Sequence, residues 1–64
     1  MRDILIDALV KKYEAEIAEH KATLHIYLNH SVGIGEHPQH VLEMDKLIAK
    51  IADAEDKLLI TKSI

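Results

Sequence analysis

Seam positions recur along this chain in alternating steps of four and three. One series runs Ile6, Val10, Tyr13, Ile17, His20, Leu24, Tyr27, and a second runs Val41, Met44, Ile48, Ile51, Glu55, Leu58. That rhythm is the seam of a heptad repeat, in which one stripe of each helix meets a partner helix. His20 and Glu55 are the polar interruptions. Neither stretch contains Gly or Pro inside it, and the first is rich in strong helix formers such as Ala8, Lys11, Glu14, Ala15, Ala18 and Ala22. The pattern predicts helix 1 over about 3–29, a turn over about 30–37 and helix 2 over about 38–61. The fold class is all-α, a single domain over residues 1–64.

The connector explains the geometry. It holds both glycines, Gly33 and Gly35, and is followed at once by the only proline, Pro38. Gly33 supplies the left-handed residue that ends a helix. Pro38 suits a first helical turn, where its missing N–H has no partner to lose. His37 then lies near the N-cap, Glu36 favours the positive end of the helix dipole, and Asp3 is the expected cap of helix 1. Val32 and Ile34 are expected against the helix ends, covered by Tyr27. A short connector makes neighbouring helices antiparallel, so facing residue numbers sum to about 68. The expected layers are Tyr27–Val41, Leu24–Met44, His20–Ile48, Ile17–Ile51, Tyr13–Glu55 and Val10–Leu58. The architecture is an antiparallel, coiled-coil-like two-helix hairpin.

Composition adds a difficulty. The chain has 64 residues, 48% of them hydrophobic, and no cysteine. A single core of this size is marginal, and no disulfide or thiolate metal site can staple it. A second set of apolar residues falls outside the seam: Leu5, Leu9, Ile26, Leu28, Leu47, Ala54, Leu59 and Ile60. A two-helix hairpin has no closed interior for them, and exposed apolar surface of that extent marks an interface. Leu5, Leu9, Leu47, Ala54 and Leu59 are therefore expected to mediate self-association. A homodimer of hairpins closing into a four-helix bundle, or a higher homo-oligomer, satisfies them. A monomer with frayed ends is the alternative.

Charge narrows the external partners. Eight basic and eleven acidic residues are interspersed, with a net charge of −3. No basic stripe is present to release counterions from phosphates, so nucleic acid is not an expected partner. No helix has the Lys/Arg-rich face of a membrane-surface helix, and no apolar run reaches membrane-spanning length. No secretory leader pattern is visible either, which points to a cytoplasmic protein.

Five histidines are the compositional oddity. His30, His37 and His40 bracket the turn, and with Glu36 they offer three imidazoles and a carboxylate suited to zinc or a similar divalent ion. The alternative is that they are exposed or cap a helix. His20 on the seam can fix register as a buried polar residue does, or respond to pH, or simply be hydrogen bonded. Tyr13 opposite Glu55 suggests a structural hydrogen bond. No pocket or third group accompanies that pair, and no catalytic triad or paired-carboxylate cleft can be placed on two helices and a tight loop. Gly33-Ile34-Gly35 lacks the strand and lysine of a phosphate loop. The chain is expected to be non-enzymatic and to need no cofactor.

The run Tyr27-Leu28-Asn29-His30-Ser31-Val32-Gly33-Ile34-Gly35-Glu36-His37-Pro38 adds a resemblance. With Lys12 to Ile17 before it and Ala52 to Leu58 after it, it resembles small uncharacterised helical proteins encoded by T4-like phages of marine cyanobacteria. The similarity spans nearly the whole chain, and the Val-Gly-Ile-Gly-Glu-His-Pro turn is its most specific part. That family has no assigned activity to transfer. The resemblance implies a phage protein working in a bacterial host cytoplasm and binding a host or phage protein. Ser31, Val32, Gly33, Ile34, Gly35, Glu36 and His37 are the expected recognition surface, since loops carry binding more often than seams do.

Overall fold

The computed structural model describes residues 1–30 and 38–64. They form two helices, α1 (Arg2–His30) and α2 (Pro38–Lys62), with no strand among the described residues. The chain is all-α, and the helix ends fall within one residue of those the pattern predicts. The expected turn lies almost wholly outside the described residues, including the stop assigned to Gly33.

Local chemistry accounts for the helix ends. Asp3 is not the cap of α1. The helix starts one residue earlier, at Arg2, and Asp3 stands inside the first turn. There its carboxylate still faces the positive end of the helix dipole. The Leu5 N–H closes that turn on the Met1 carbonyl at 3.1 Å. Pro38 occupies the first position of α2, where it costs no intrahelical bond. At the far end the Ser63 and Ile64 N–H groups bond back to the Ile60 and Thr61 carbonyls at 3.1 and 3.3 Å. These short-range bonds satisfy carbonyls that a helix end otherwise leaves open.

The two helices contact each other along their length. Arg2 donates to the Ile64 carbonyl at 3.5 Å, and the Lys57 ammonium lies 5.9 Å from the Tyr13 ring centre. Lys21 pairs with Glu55 at 3.9 Å, and the Tyr27 ring meets His40 edge-on at 5.8 Å. As the α1 number rises, the α2 number falls. The molecule measures 47 × 15 × 13 Å. That length matches a 29-residue helix at about 1.5 Å per residue.

On α1 the buried stripe is the one expected. Ile6, Val10, Tyr13, Ile17, His20, Leu24 and Tyr27 are all half-buried. On α2 the stripe is rotated. Leu47, Ile51 and Ala54 are buried, with Met44 and Leu58 half-buried beside them. Val41 is 75% exposed, Ile48 52%, and Glu55 is exposed as well. The expected layers Tyr27–Val41, His20–Ile48 and Tyr13–Glu55 are therefore replaced.

Desolvation gives the physical reason. A seam through Glu55 would bury a carboxylate, which is costly unless it is fully paired. The observed rotation sends Glu55 to the edge, where it reaches Lys21, and puts the small Ala54 inside. The expected Tyr13–Glu55 hydrogen bond gives way to the Lys57 contact on the Tyr13 ring. Among the described residues the rotated seam fully buries one polar side chain, Thr61, only 6% exposed. Its hydroxyl is satisfied within the helix, donating to the Lys57 carbonyl at 2.7 Å. Because that bond is local, Thr61→Val keeps the shape and leaves only a helix carbonyl with one partner fewer. Its stability is expected to change by less than about 1 kcal/mol in a thermal melt. A larger loss would mean the hydroxyl serves α1 as well.

The remaining ion pairs are local and exposed. Asp7–Lys11, Lys12–Glu16, Glu43–Lys46 and Asp53–Lys57 each join residues three or four apart. Glu16 accepts a hydrogen bond from Lys12 at 2.9 Å, and this bond with its negative charge holds the ammonium above the ordinary lysine value of 10.5. On the alkaline side the pair is lost as the Lys12 proton is removed.

Candidate interaction surface

Two flanks border the α1–α2 seam, and they differ in chemistry. On one flank α2 presents Val41, Asp45, Ile48, Ala52, Glu55, Leu59 and Lys62, all exposed and again spaced by fours and threes. On the other it presents Glu43, Lys46, Lys50, Asp53 and Lys57 before reaching Ile60 and Ile64. The second flank is charged through its middle. The first is a second heptad stripe that α1 does not cover.

The first flank contains a depression. Val41, Met44, Asp45 and Ile48 line an open groove of about 280 Å³. These are positions i, i+3, i+4 and i+7 of one helix, the four residues that form the hole for a knob side chain in a coiled coil. Met44 floors it from the seam, half-buried, while Val41 and Ile48 form exposed walls. Asp45 supplies the single charge on its rim. The groove can accept an aliphatic side chain from another helix.

The residues expected to self-associate divide into two groups. Leu5, Leu9 and Leu59 are exposed, at 57, 36 and 69%. Leu47 and Ala54 are not on the surface: they lie in the contact with α1, at 9 and 3%. The heptad spacing of Val41, Met44 and Ile48 was visible in the sequence. It pointed to the intrachain seam, because spacing alone does not say which of two adjacent stripes faces α1.

The histidines are dispersed. His20 is half-buried on the seam of α1, and His25 is exposed, with Asn29 donating to its carbonyl at 3.0 Å. His40, in the first turn of α2, packs edge-on against Tyr27. Of the expected metal set, His30 ends α1 and His40 opens α2, while Glu36 and His37 lie outside the described residues. Among the described residues no three His, Asp or Glu side chains are grouped to hold a metal ion. The expected recognition surface, Ser31 to His37, also lies outside the described residues. No described helix is long and apolar enough to cross a membrane. Comparison with known protein families, curated proteins and solved structures found no match.

Proposed function

We propose that the chain is a non-enzymatic, antiparallel helical hairpin that self-associates into a four-helix bundle and serves as a small protein–protein interaction module. The falling order of the α1–α2 contacts supports the antiparallel arrangement: Arg2 with Ile64, Tyr13 with Lys57, Lys21 with Glu55, Tyr27 with His40. The observation that carries self-association is the surface area. A single 7.2 kDa chain exposes 4913 Å². A compact monomer of that mass would expose about 4100 Å². The excess, roughly 800 Å², is about what one partner loses in a standard stable interface.

The excess is apolar in character. Among the described residues, twelve large hydrophobic side chains are exposed, including Ile4, Leu5, Leu28, Val41, Ile48 and Leu59, against three hydrophobic residues that are buried. Dimerisation gives these side chains a dry environment that one hairpin lacks, each contributing on the order of 1.5–3 kcal/mol when fully buried. Sedimentation equilibrium at high micromolar concentration is expected to give twice the 7.2 kDa chain mass. A folded species that stays at 7.2 kDa overturns the proposal.

The outward-facing part of the proposal is that the bundle binds a host or phage protein in a bacterial cytoplasm. It is supported by the resemblance carried by the Tyr27 to Pro38 run. The mixed charge of the helices supports a protein partner over a nucleic acid.

A further inference from the structure

We infer that the self-association surface is the α2 flank bearing Val41, Ile48 and Leu59, and that Leu59 of a second copy fills the groove lined by Val41, Met44, Asp45 and Ile48. The inference rests on the self-association proposed above and specifies its face and direction. The groove has the spacing of a coiled-coil hole, so its natural occupant is an aliphatic knob from a helix. The same stripe of α2 supplies one, Leu59, which is 69% exposed. A surface carrying both the hole and the knob is self-complementary, as a two-fold interface requires.

The direction follows from where hole and knob sit. They lie at opposite ends of the stripe, so two copies of α2 must run antiparallel for each Leu59 to enter the other's groove. That register brings Ala52 opposite itself at the two-fold axis, where a small side chain allows close approach of the helices. Charge agrees with it. The stripe carries three charged residues, Asp45, Glu55 and Lys62. Glu55 is already paired with Lys21 of its own chain. Lys62 of one copy falls within a helical turn of Asp45 of the other, at both ends of the interface. The opposite flank, charged from Glu43 to Lys57, offers neither a hole nor an apolar middle.

The test uses the full chain, which has no cysteine of its own. Ala52→Cys is expected to form an interchain disulfide under mild oxidation at least about tenfold faster than Ala15→Cys, because a disulfide needs Cβ atoms within roughly 4 Å. Both alanines are exposed in the single chain, so neither substitution disturbs the seam. Asp45→Lys is expected to weaken the dimer about tenfold, since the lost pair occurs twice by symmetry. Adding Lys62→Asp to Asp45→Lys is expected to restore it. A wild-type chain that remains monomeric overturns both self-association and this interface. A wild-type dimer in which Ala52→Cys crosslinks no faster than Ala15→Cys overturns the interface alone. Failure of the double charge reversal to restore the dimer overturns the antiparallel register.

Discussion

Ile51→Asp is expected to abolish the cooperative helical fold, while Ile48→Leu leaves it intact. The two isoleucines stand three residues apart on α2, but Ile51 is 9% exposed against α1 and Ile48 is 52% exposed. Removing the Ile51 side chain forfeits roughly 1.5–3 kcal/mol of apolar burial. Placing a carboxylate there adds a desolvation cost of at least about 1–3 kcal/mol, because the site is buried. A domain of this length has a total stability of roughly 3–10 kcal/mol. The two costs together therefore approach or exceed what holds the chain folded. Far-UV circular dichroism should show Ile51→Asp losing most helical signal at a temperature where the wild type keeps it. Ile48→Leu conserves volume at a half-open site and should melt within a few degrees of wild type. An Ile51→Asp chain that melts like the wild type would overturn the described seam.

This pair of residues also marks how far the sequence alone determines the fold. The existence, type and limits of both helices follow from the absence of internal Gly and Pro and from the three–four spacing, and they agree to within a residue. All seven seam positions of α1 were legible because its competing stripes are broken by charges such as Lys12, Glu16 and Glu19. α2 was different. Val41, Ile48 and Glu55 recur every seven residues, as do Leu47, Ala54 and Thr61, and periodicity does not rank two stripes one position apart. What decides between them is the cost of burying Glu55 and the fit of small residues, which are properties of three-dimensional packing. The candidate groove was hidden for the same reason: its residues were legible as a heptad, and their vacancy was not.

Ala54→Leu brings out the same distinction with opposite signs. If Ala54 lay on an outer self-association surface, as its place beside the first stripe suggested, a leucine there would add apolar area and strengthen the assembly. Buried at 3% exposure, it has no room to grow. Lys57, one turn further along α2, extends over the Tyr13 ring, so Tyr13 packs against this stretch of the helix. Extra methylenes at Ala54 must displace that ring or push the helices apart, at a cost of about 1–3 kcal/mol. A lowered thermal midpoint is therefore expected for Ala54→Leu, at a protein concentration high enough to saturate any assembly. Shortening the opposing residue should relieve it. Tyr13→Ala combined with Ala54→Leu is expected to be more stable than the sum of the single changes allows, with a coupling of about 0.5–3 kcal/mol. Strict additivity would separate Tyr13 from Ala54, and a raised midpoint for Ala54→Leu alone would return Ala54 to the surface.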